Sequence, residues 1–241
     1  MPLTIGWEAV RANALPAFVL QALMLAIVVG YYLNPAFAEL LNGAAEAKRA
    51  YGLVFVIGAA ILAGSILPEL LVVLLFQRGR VSWQNLRNVL FTAPVWTVDG
   101  IAVDVLYRGL AAWLGDAATP GVVIAKICID QFVFSVLFAA PYGVIAYEWR
   151  NRGFSFAAIR HCFTLAYYKD KIVPTLLTVW AVWIPLVAMI YSLPHALQFP
   201  LFSLALTFWV LLLTYMTNRF AGKAGRPDTA LPIDAAPQPA R

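Results

Sequence analysis

The sequence predicts an all-α, multi-pass transmembrane helical bundle, and three observations carry that class. Hydrophobic residues fill 62% of the 241 positions and charged residues only 12%, too few charges to clothe a water-soluble core of this size. Apolar runs recur from Leu15 to the neighbourhood of Thr217. Those runs lack the period-two alternation of a membrane barrel, so the need to satisfy every backbone group in lipid leaves helices.

A helix crossing the roughly 30 Å hydrocarbon layer needs about 20 residues. Six segments meet or approach that length: 15–33, 51–76, 91–113, 120–146, 172–193 and 197–217. The first precedes Ala36-Phe37-Ala38, which suits a signal-peptidase site, but its apolar region is longer than the roughly 7–15 residues of a signal peptide, so a retained span is favoured. The second is interrupted by Glu69 alone. The third and fourth carry charges and are recognised by length, by their flanking loops and by the helical grouping of their polar residues. The fifth and sixth are plainly apolar. Pro68, Pro141, Pro174 and Pro185 are placed to kink spans, since each lacks a backbone donor.

Between the spans, residues 1–14 read as an amphipathic lead-in with Trp7 at the interface, and 34–50 as a polar, Ala-rich connection that is partly helical. The stretch 77–90 reads as a purely basic loop. In the longest internal loop, 147–171, Phe154 to Tyr168 has the spacing of an interfacial or connector helix. Residues 1–218 thus form one membrane domain, and 219–241 a disordered polar tail.

The net charge of +5 is not massed into a nucleic-acid-binding patch. It follows a topology instead. With both termini on one side, 13 of the 17 Lys and Arg residues fall on that side, Lys48 and Arg49 on the other, and Arg108 and Lys126 within the membrane. The positive-inside bias makes the terminal side cytoplasmic. The expected setting is the cytoplasmic membrane of a bacterium, or the mitochondrial inner or peroxisomal membrane in a eukaryote.

Ionisable residues within spans mark function by default. Asp104 and Arg108 are four apart, as are Lys126 and Asp130, so each pair shares a helix face and can neutralise itself. The short link 115–120 folds the third and fourth spans into a hairpin, which would gather both pairs and Gln131 into one cluster. Glu69 and Asp99 fall nearer the cytoplasmic side as a secondary polar track. Pore lining and structural bracing are both open for these residues.

No enzyme is expected. Asp99-Gly100 starts like the phosphatidyltransferase pattern Asp-Gly-x-x-Ala-Arg, but Val103 and Asp104 occupy the positions that need Ala and Arg. Gly64-Ser65 lacks a histidine partner in a neighbouring span. Cys128 and Cys162 have no metal-ligand spacing and are not expected to pair, and no metal or other cofactor is expected.

Several stretches share an order and spacing: Lys126, Asp130 and Gln131 as Lys-x-x-x-Asp-Gln; Gly100 and Tyr107 before them; Pro174, Thr175, Trp180, Trp183 and Pro185 after them; then Leu193-Pro194 and Trp209. Over about residues 59–217 the chain resembles the 22-kDa peroxisomal membrane protein family, whose mitochondrial inner-membrane members form the Mpv group. It departs from the family pattern at Ile101 for Pro, Asp104 for His, Leu106 for Trp and Val210 for Asn, and Ile184 shifts the proline by one. The resemblance implies a core of 51–218 to which 15–33 is an addition. It also implies packing roles for Gly100, Tyr107, Trp180, Trp183, Pro185 and Trp209, and a small-solute channel or a membrane protein supporting metabolite balance.

The expected function is therefore a weakly selective path for small solutes, with a scaffolding protein as the alternative and a proton-coupled carrier third. The bilayer, small solutes and further copies of the chain are the expected partners.

Overall fold

The computed structural model describes Arg11 and residues 14–224, and all regular structure among them is helical. The helices are α1 (Ala14–Leu33), α2 (Pro35–Tyr51), α3 (Leu53–Leu75), α4 (Trp83–Leu114), α5 (Pro120–Asn151), α6 (Leu165–Tyr191) and α7 (His195–Ala224). A 3-10 turn, Ala157–Phe163, links α5 to α6. The lead-in 1–10 and most of the tail, 225–241, lie outside the described residues.

Helices α3 to α6 are each long and apolar enough to cross a membrane, and the bent pair α1 and α2 offers a fifth crossing. Large apolar side chains, among them Leu15, Val54, Leu74 and Leu137, face outward, an arrangement that suits lipid and not water. The architecture is that of an integral membrane protein. Of the six expected spans, four stand as full-length crossings. Segment 15–33 coincides with α1, and 197–217 falls in α7, whose apolar stretch His195–Leu211 is shorter than a span.

Local chemistry explains the boundaries. Asn34 precedes Pro35 and is held extended, as residues before proline are. Its Oδ1 accepts from the Phe37 N–H at 3.2 Å and caps α2. Axes α1 and α2 meet at 109°. Gly52, at φ 52°, turns the chain into α3, a conformation that favours glycine. The basic stretch 77–90 is not all loop: Ser82 and Asn85 form a reciprocal cap that starts α4 at Trp83. At about 1.5 Å per residue, the 32 residues of α4 outrun the hydrocarbon layer, so its first turns stand clear of it. Helix also replaces expected loop at 147–151 and 169–171 and expected tail at 219–224, while the helix expected over Phe154–Tyr168 is divided between the 3-10 turn Ala157–Phe163 and the start of α6.

Prolines shape the spans in an unexpected way. Three π-helical segments, Leu62–Ile66, Asp130–Ala139 and Tyr168–Ile172, each end two residues before a proline, namely Pro68, Pro141 and Pro174. A proline cannot donate to the preceding turn and crowds its carbonyl, and widening that turn relieves the clash without breaking the span. Two of the carbonyls left without a donor find one on a neighbouring helix. The Ala140 N–H bonds five residues back to Ser135, so Pro141 leaves Val136 free, and the Tyr168 hydroxyl donates to Val136 O at 2.9 Å. Pro185 likewise frees Ala181 O, which accepts from Gln21 Nε2 of α1 at 3.1 Å. These bonds meet the lipid-phase demand for satisfied backbone.

The core joins Leu20 and Met24 of α1, Val103 and Leu110 of α4, Leu186 and Ile190 of α6, and Phe199 and Ala205 of α7. Small residues bring α3 against α4. A Cβ on Gly100 would stand 2.7 Å from the Cβ of Ala60, and one on Gly64 would stand 2.2 Å from the Trp96 ring. Such close approach is the usual basis of helix association in lipid.

Candidate functional site

Polar side chains gather at three levels along α4. At the end where α2 meets the bundle, Asp104 takes both the expected partner and an unexpected one. Arg108 Nε lies 2.9 Å from Oδ2, as the four-residue spacing predicts, and Lys48 Nζ from the end of α2 lies 2.7 Å from Oδ1. Lys48 also sits over the Phe199 ring, 4.9 Å from its centre.

In the middle, Asp130 is buried where the π-helical segment of α5 begins. The expected Lys126–Asp130 ion pair does not form. Asp130 instead accepts from the Tyr191 hydroxyl at 2.6 Å and from Gln131 Nε2 at 2.9 Å. Lys126, only 1% exposed, has no carboxylate within 4.0 Å among the described residues; its Nζ lies 6.0 Å from the centre of the Tyr191 ring. The Gln131 side-chain oxygen is buried without a donor, while its backbone carbonyl accepts from Trp180 Nε1 at 2.8 Å. Tyr107 packs edge-on to Tyr191, with ring centres 5.3 Å apart.

Nor do the two expected pairs merge into one four-charge cluster. Asp104 is five residues beyond Asp99, about 140° around an ideal helix, so it turns toward α2. Asp99 lies within electrostatic range of Asp130 and Tyr107 instead. It belongs to the middle level.

At the third level Glu69 of α3 is fully engaged. Its Oε2 accepts from Asn85 Nδ2 and its Oε1 from Asn88 Nδ2, both at 2.8 Å. Arg150 of α5 donates to Asn88 Oδ1 and lies over the Phe91 ring. Ser65 Oγ is 2.6 Å from Thr92 Oγ1, a pair that contains no base.

The remaining motif residues serve packing. Trp183 stands against Phe202 with ring centres 5.6 Å apart, Trp209 lies partly buried against the core, and Pro185 supplies the carbonyl that Gln21 caps. Outside the spans, burial pushes the Cys162 thiol above its ordinary pKa, and a hydrogen bond to Glu148 raises Arg152. Among the described residues no three His, Cys, Asp or Glu side chains converge as metal ligands.

Sequence spacing missed Lys48, Tyr191, Asn85, Asn88 and Gln21, because each reaches its partner from a different helix. A buried Asp130 needing a donor was the one available signal, and it pointed to no particular partner. The chain matches no protein-family model, no curated protein and no solved structure.

Proposed function

We propose that this membrane protein passes small solutes along the three-level polar track, with Asp104, Arg108, Lys126, Asp130 and Gln131 lining or bracing it. The observation that carries the reading is Lys126, buried with no carboxylate within 4.0 Å among the described residues and only Asp116 acting on it at longer range, on the same helix as the donorless side-chain oxygen of Gln131. A charge at the bilayer centre costs about 2.5–3.5 kcal/mol on insertion scales. Bracing alone favours a paired residue within the span, whereas a path that opens during passage would hydrate the ammonium. Charge and constriction width then set selectivity. In this reading α1 and α7 complete six crossings, both termini are cytoplasmic, and a bacterial cytoplasmic membrane is the setting. The resemblance to the Mpv group supports it by analogy.

Purified protein in planar bilayers is expected to conduct, with Asp130→Asn altering the conductance. A silent bilayer containing folded protein would sink the reading. Scaffolding is the second reading, favoured by the two hydrogen bonds that hold Glu69 and by the two cations paired with Asp104. It expects Asp104→Asn to lower thermal stability while solute efflux from proteoliposomes stays at the level of empty vesicles for every variant.

A further inference from the structure

We propose that the end of the bundle opposite the termini holds a binding site for a phosphate-bearing anion, whether or not the track below it conducts. A pocket of about 570 Å³ opens there, lined by Tyr32, Lys48, Arg49, Arg108, Asp116 and His195 among others. These residues come from α1, α2, α4, the α4–α5 link and the start of α7. Of the four cationic residues that the positive-inside bias leaves unexplained, three line this one pocket; the fourth is Lys126. A charge bias that holds for 13 of 17 residues and fails three times around a single cavity indicates a local use for those charges.

The geometry suits an oxyanion. Asp104 holds Arg108 through Nε at 2.9 Å, which leaves the two terminal amino groups of the guanidinium as a pre-oriented fork. That side chain is 60% exposed. A planar fork matches a phosphate through two parallel hydrogen bonds. The same carboxylate holds Lys48 through its other oxygen, so Asp104 acts as a positioning residue for both. Arg49 is exposed and makes no ion pair among the described residues. His195 Nδ1 lies 3.5 Å from Gln198 Oε1. Asp116 is the acidic lining residue, and with Asp104 it sets two carboxylates against three cations, which leaves one positive charge in excess, carried by Arg49. The volume falls in the small-molecule range of about 300–1,000 Å³, room for a phosphate monoester of glycerol or sugar size or for a phospholipid headgroup.

The test uses the full chain, delipidated in detergent, with glycerol 3-phosphate and spin-labelled phosphatidylglycerol as separate probes. Saturable binding of glycerol 3-phosphate, weakened about tenfold or more by Arg49→Gln/Arg108→Gln and unchanged by Arg87→Gln, identifies a soluble ester as the ligand. Binding of phosphatidylglycerol alone, lost in the same double variant, identifies a lipid headgroup. Either result supports the site. Absence of saturable binding of both probes to the wild type, or equal binding by the double variant, overturns it. Should the double variant not fold, Arg49→Gln alone, which disturbs no ion pair, is expected to weaken binding measurably, and an unchanged affinity overturns the site equally.

Discussion

Asp130 illustrates what a single side chain costs and gains inside a helical bundle. Its two oxygens are satisfied by a tyrosine and a glutamine and not by the lysine one turn away. The bond from Tyr191 spans two helices and fixes how α6 meets α5. Tyr191→Phe is expected to leave Oδ2 without its donor and lower stability by about 1–3 kcal/mol, read as a fall in the thermal midpoint in detergent. An unchanged midpoint would remove Tyr191 from the site. Spacing made the Asp104–Arg108 bond legible, because partners four apart on a helix share a face. It could not show that Lys48 adds a second bond, nor that Tyr191 outcompetes Lys126, since both contacts depend on how distant helices pack.

At the scale of elements, the spans and their order are legible because long apolar runs must be helical in lipid. Their ends and bends are less so. The four prolines read as kinks, yet three follow a widened turn, and the carbonyls behind Pro141 and Pro185 are taken by Tyr168 and Gln21. Gln21 accordingly tethers α1 to α6. Gln21→Leu is expected to loosen that helix, seen as faster hydrogen exchange in α1 with little change in α4. Gly100→Leu would act in the opposite place. Its side chain meets Ala60 across the α3–α4 crossing, and a loss of several kcal/mol is expected where overpacking of about 1–3 kcal/mol adds to separated helices.

For the whole molecule, the proposed topology, with both termini on one face, can be tested directly. A cysteine replacing Glu46 on α2 is expected to react with a membrane-impermeant maleimide from the face opposite the termini, and one replacing Arg87 from the terminal face. The reverse pattern would invert the topology. The native thiols are expected to give little background: Cys128 is exposed on a face of α5 that lipid covers in this topology, and Cys162 is buried with its pKa held up, so at neutral pH it offers little of the reactive thiolate. Raising the pH toward the titration of Cys162 is expected to bring that background in.

The widened turn at Asp130–Ala139 has a mechanical consequence. A π-turn holds one residue more than the α-turn it replaces, and one residue is about 100° of helix rotation. Sliding that surplus along the segment would swing successive side chains, Gln131 and Ser135 among them, past the bundle interior in single steps while the helix axis stayed in place. Such a step would turn the span about its own axis, while the close approach of α3 and α4 at Gly64 and Gly100 holds the neighbouring crossing in place.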